Sequence, residues 1–155
     1  MKIKIVTLLM ATVFFSCKGK KEGTAPKPSQ FSIIGTWQLI NGTVIEKGDT
    51  VVTDYTKNIS FIKIINDTHF AFFQHDLTKG KDTGAIFVAG SGSYTLNNSL
   101  YSEHLEYCSD RNWENTDFKF TIELKKDTLI QSGVEIVENA GINRINTERY
   151  VRVRP

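Results

Sequence analysis

The chain is poor in the residues that chemistry most often needs. It has two cysteines and three histidines in 155 residues. Neither a Gly-rich phosphate loop nor a nucleophile elbow is present, and no Ser/His/Asp constellation stands out. These absences argue against an enzyme. Charge of one sign is also missing. The formal net charge is +2, from 19 basic and 17 acidic side chains, and Lys2 and Lys4 in the extreme N-terminus account for the excess. Without a basic stripe there is no electrostatic footprint for nucleic acid. Long helical periodicity is absent from Phe31 onward. The one continuous apolar run, Ile5 to Phe15, is too short to cross a bilayer as a stable helix.

What is present divides into delivery and fold. Lys2 and Lys4 precede the apolar run as a positive n-region, and the run ends in Phe14-Phe15-Ser16-Cys17. This segment resembles a bacterial lipoprotein signal, with Ser16 as the small residue before the cysteine and Phe14 and Phe15 departing from the usual pattern. The resemblance implies cleavage after Ser16 and acylation of Cys17, so residues 1–16 are read as a signal peptide. Two or three acyl chains, at about 0.8 kcal/mol per buried methylene, give a stable anchor in the lipid bilayer. Residues 17–30 then hold the lipidated cysteine and a tether, Lys18 to Gln30, with two Pro, two Gly and no aliphatic residue larger than Ala. Such a segment buries too little to fold, and extended it reaches roughly 40 Å at about 3.3 Å per residue. Its four lysines suit either an anionic headgroup surface or plain solvation. The tether lacks the acidic run that some bacterial lipoproteins carry for surface export. The expected location is therefore the cell envelope, lipid-anchored and facing the periplasm. With Cys17 acylated, Cys108 has no intrachain partner, and the fold is expected to stand without a disulfide.

Residues 31–155 read as one domain of short strands. Runs of five to nine β-branched and aromatic residues alternate with turn signals such as Lys47-Gly48-Asp49, Asn66-Asp67 and Asn97-Asn98. Eight to ten antiparallel strands at this spacing mean a sandwich or an up-and-down barrel. Gly35-Thr36-Trp37 at the head of the first strand, with Arg149 or Arg152 in the last, resembles the lipocalin (calycin) pattern. So do the blocks Ile64–Phe72, Gly90–Leu96, Tyr101–Tyr107 and Glu148–Val153, which resemble lipocalin-like domains of unknown function in bacterial lipoproteins. The resemblance implies an all-β, single up-and-down barrel, with Trp37 plugging its floor and a C-terminal arginine stacked across the indole.

Strand alternation then supplies candidate ligand-binding residues. The more apolar faces of two strands put Phe70, Phe72, Tyr101, Glu103 and Tyr107 in the lumen above Trp37, with Arg152 as the counter-charge of Glu103. Aromatic walls with one carboxylate suit a small, partly apolar ligand. A barrel filled by its own side chains is the alternative, and with it a protein-binding module, such as an envelope-enzyme inhibitor or accessory subunit. His104, Glu106 and Cys108 share a strand face at a spacing too wide for one ion, so neither a metal nor a cofactor is expected. Trp113, in a polar loop, is expected to cap a barrel end.

Overall fold

The computed structural model describes residues 32–154; the expected signal peptide, Cys17 and tether lie outside them. The described residues form nine strands, all in antiparallel pairings and, from β3 onward, each beside the next: β1 (Gly35–Glu46), β2 (Asp49–Asp54), β3 (Ile59–Ile65), β4 (His69–Asp76), β5 (Phe87–Asn97), β6 (Leu100–Cys108), β7 (Thr116–Lys125), β8 (Thr128–Val137) and β9 (Ile142–Arg152). β9 returns to pair with β1 from Trp37 to Ile45, which closes the sheet. On its other edge β1 is shared. Gly35–Gln38 pairs with β3, and Asn41–Glu46 pairs with β2 through the Lys47-Gly48 turn. Eight strands therefore close the ring, β2 being an added flap on the same flank as β3. The protein is a single closed eight-stranded antiparallel barrel of lipocalin-like, up-and-down topology. Closure removes the edges that flat β segments would otherwise offer to other chains.

The turns form where the sequence places them. Asn98 and Lys126 take φ of 55° and 54° in the tight β5–β6 and β7–β8 connections. The stretch after Gly133, irregular by composition, is not irregular in the fold: β8 runs through Gly133 to Val137, and a single 3-10 turn (Glu138–Ala140) leads into β9. The long β4–β5 connection is gathered by Asp76, which accepts from Thr78 Oγ1 and from the backbone N–H groups of Gly80 and Ile86. Those bonds hold its carboxyl below the usual carboxylate range.

Two bulges set which side chains face inward. In β1 the register against β9 shifts between Leu39 and Asn41. Trp37 and Leu39 thus point in below the bulge, while Gly42 and Val44 line the lumen above it. In β6, Ser91 faces Tyr107 but Gly92 faces Leu105, which leaves Glu106 as the extra residue. Its side chain folds back to accept from the N–H of Ser93 at 3.1 Å. Gly92 makes this possible: a Cβ there would sit 1.8 Å from the carbonyl oxygen of His104.

The core fills one end of the barrel. Trp37, Leu39, Phe70, Tyr101, Leu129 and Tyr150 are all but fully enclosed there. Trp37 is 0% exposed, its indole Nε1 donates to the carbonyl of Ile33 at 2.7 Å, and the Arg152 guanidinium lies 4.1 Å from the ring centroid. Arg152 also donates to the carbonyls of Ile34 and Ser32, each at 2.7 Å. The floor is thus an indole held between core aromatics and a guanidinium that is itself tied to the incoming chain.

Candidate ligand-binding cavity

Above the floor the barrel is not filled. A cavity of about 470 Å³ runs up to a rim that carries Asp110, Trp113 and Arg144, within the range of small-molecule sites. Its wall is two-sided in chemistry. One side is aromatic: Phe61 and Phe72 stack at 5.6 Å and Tyr55 meets Phe61 edge-on at 5.8 Å, while on β7, next to β8, Phe118 lies between Phe120 and Trp113. The other side is a polar ladder on β8 and β9, where alternation turns Gln131 and Glu135, and Arg144, Asn146, Glu148 and Tyr150, toward the lumen. Arg144 to Tyr150 spans roughly 20 Å of strand.

Two ion pairs sit at the ends of this ladder. At the inner end Lys63, 3% exposed, donates to Glu103 and to Gln131 Oε1 (2.9 Å), and Glu103 is 7% exposed. The Lys63 ammonium also lies 5.1 Å from the ring centroids of both Phe70 and Tyr101. At the rim Arg144 Nε donates to Glu135 Oε2 at 2.6 Å, and its guanidinium faces the Trp113 ring at 5.3 Å. Between the pairs, Asn146 Nδ2 bridges Glu135 (2.8 Å) and Glu148 (3.3 Å), and Tyr150 donates its hydroxyl to Glu148 at 2.7 Å.

Among the described residues, Glu148 is the carboxylate below the rim without a cationic partner. It is walled in by the barrel, yet it stays half-exposed because its surface opens into the cavity. Desolvation pushes its pKa above the ordinary value; Lys63 and the Tyr150 hydroxyl pull it down, and the nearby Glu135 and Glu103 push it up. Burial, followed by the Glu148 charge, keeps Tyr150 protonated far above its usual range. Tyr101 is held protonated in the same way, by burial first and then by Glu103, and its enclosed hydroxyl has no hydrogen-bond partner of good geometry. Burial also raises the Cys108 thiol, making it a poor nucleophile.

The expected lumen residues separate into four positions. Phe72 and Glu103 line the cavity, while Trp37, Phe70 and Tyr101 form the floor beneath it. Arg152 is not in the lumen and is not the counter-ion of Glu103; Lys63 takes that place, and Arg152 lies below the floor on the far face of Trp37. Tyr107 is a correction. It lies on the outer surface, 65% exposed, because the bulge at Glu106 inverts the alternation of β6. The same inversion turns Cys108 into the lumen, while His104 bonds Asp117 across the outer face at 2.8 Å. Among the described residues no group of three His, Cys, Asp or Glu side chains is placed to hold a metal ion. Trp113 is half-buried at the rim, on a 3-10 turn (Arg111–Trp113) capped by the Asp110 side chain.

The ladder was the part not foreseen. Its signal lay in β9: with Arg152 placed against Trp37, a period of two carries Tyr150, Glu148, Asn146 and Arg144 to the same interior face. Lys63 shares its face with Phe61 and Ile65, but the apolar neighbours Ile62 and Ile64 hide that alternation.

No curated protein matches the chain. Residues 32–155 match the family model described as Domain of unknown function (DUF4488). That match takes in all nine strands, the Trp37–Arg152 floor and every residue of the ladder, and the chain belongs to the DUF4488 family.

Proposed function

We propose that the protein is an envelope lipoprotein, anchored through acylated Cys17 and facing the periplasm, whose lipocalin-like barrel binds a small, partly apolar ligand and carries out no catalysis. The supporting observation is the cavity itself. It has an aromatic wall, a few oriented polar groups on the opposite wall and a sealed floor, the usual composition of a binding pocket. Native mass spectrometry of the purified full-length protein tests the binding reading. The expected result is a small organic adduct that is lost on denaturation; a chain that carries none and takes up no apolar probe refutes it. Anchoring has its own test. Cys17→Ala is expected to move the protein from the membrane to the soluble fraction, and unchanged fractionation refutes the lipid anchor.

A protein-binding role is the second reading. An apolar stripe on the outer wall favours it: Val52, Ile45, Ile145 and Val134 are exposed on neighbouring strands β2, β1, β9 and β8. Ile145→Lys is expected to abolish a protein partner's binding and to leave ligand uptake intact.

A further inference from the structure

The charges that face the cavity do not balance. Three carboxylates, Glu103, Glu135 and Glu148, meet two cations, Lys63 and Arg144. Each cation is committed: Lys63 to Glu103 and Gln131, and Arg144 to Glu135 and the face of Trp113. Glu148 is left with two neutral donors, the Tyr150 hydroxyl and the Asn146 amide. Among the described residues that line the cavity no free cation remains for an anionic guest, and Asp110 adds a further negative charge at the rim. Across the lumen from the ladder stand Phe61 on β3 and Phe72 on β4, and Phe118 borders the cavity on β7, next to β8; aromatic rings exclude water and can attract a cation.

We infer that the lumen selects a cationic amphiphile: a small molecule with an aromatic or alicyclic body and one protonated amine, the amine seated on Glu148 and the body against the Phe61–Phe72 wall. The inference rests on the ligand-binding reading above and narrows it to a chemical class. It also excludes the fatty-acid class of guest, whose carboxylate would meet an unneutralised carboxylate inside a low-dielectric barrel. The groups that face Glu148 are Lys63 from β3, Glu103 from β6, Gln131 and Glu135 from β8, Arg144, Asn146 and Tyr150 from β9, and Tyr55 after β2. Protonating Glu148 removes the receptor charge, so amine binding weakens on acidification.

Isothermal titration of the full-length protein at pH 7.5, with three probes that share an indole body, tests this. Tryptamine carries the ammonium, indole-3-propionate the carboxylate, and 3-ethylindole no charge. Tryptamine is expected to bind at least about tenfold tighter than indole-3-propionate, equivalent to about 1.4 kcal/mol. Glu148→Gln is expected to bring the two within about threefold, with 3-ethylindole titrated on the same variant to check that the cavity still binds the indole body. If 3-ethylindole binds and tryptamine shows no advantage over the acid, the cationic-guest inference is overturned and the binding reading stands. If none of the three binds, both fall. Should Glu148→Gln lose 3-ethylindole as well, the wild-type pH profile decides: the tryptamine preference must fall between pH 7.5 and 5, and a flat profile overturns the inference.

Discussion

Lys63→Met removes the ammonium that lies over the Phe70 and Tyr101 rings at the inner end of the lumen and keeps an unbranched apolar side chain of similar length. What remains is the Glu103 carboxylate, 7% exposed, which has lost its cationic partner Lys63, with Glu148 on the neighbouring ladder. Breaking a buried pair from one side costs about 3–5 kcal/mol, because the other charge is left uncompensated. Here the figure belongs at the low end, about 3 kcal/mol, since Glu103 borders a cavity that admits water. Against a domain stability of about 5–15 kcal/mol, that is a large share. Urea denaturation at pH 7, followed by the fluorescence of Trp37 and Trp113, measures it. The control is Lys63→Met with Glu103→Leu, which replaces the pair by apolar groups and should return to within about 1–2 kcal/mol of the wild type. A single variant that loses under about 1 kcal/mol, or a double variant as unstable as the sum of its parts, would show that the pair is solvated and does not organise the inner lumen.

Trp37→Ala is expected to cost about 3–5 kcal/mol, the usual range for emptying a large aromatic site, and it also strands the Ile33 carbonyl and the Arg152 guanidinium; a loss under about 1 kcal/mol in the same assay would mean that Trp37 is not the floor. Glu148→Gln tests the raised pKa. A carboxyl whose folded pKa lies above its unfolded value near 4.5 binds more protons in the folded state, so stability falls as pH rises through that window. Thermal melts should therefore show the variant gaining on the wild type from pH 4 to pH 8, and a pH-independent difference would contradict the assignment. Gly92→Ala drives a Cβ into the His104 carbonyl and should lose about 3 kcal/mol, the upper end of overpacking costs; a neutral result would mean that the β6 bulge can move.

The fold was legible because its evidence is local and repeated. Period-two alternation, turn residues at short intervals and the Gly35-Thr36-Trp37 start each point to short antiparallel strands, and a last strand carrying Arg152 supplies the closing partner. The bulges were not legible in the same way. Nothing within Tyr101–Cys108 marks Glu106 as supernumerary; the marker is Gly92, on the opposing strand, and it acquires meaning only when the register is known. One unmarked residue was enough to put Tyr107 on the wrong wall and Cys108 on the wrong face. The choice of Arg152 as the partner of Glu103 failed for a different reason. Charge complementarity ignores depth, and Arg152 sits at the end of β9, beyond the indole, whereas Lys63 is placed by β3 at the height of Glu103.

The two ends of the barrel use charge in opposite ways. At the floor, Arg152 lies outside the core, keeps contact with solvent and donates to two carbonyls, so its charge is satisfied without full burial. In the lumen, Lys63, Glu103, Glu135 and Asn146 are buried polar groups in a barrel of this size, where apolar residues of similar volume would be no less stable. The closed sheet does not need the ladder: backbone pairing and the aromatic floor already close the barrel. Nor does the ladder complete itself, since among the described residues Glu148 remains without a cation while the other charges below the rim are paired. An interior whose carboxylates below the rim are ion-paired except Glu148, which opens to the cavity, is what a site looks like when its last partner arrives with the guest.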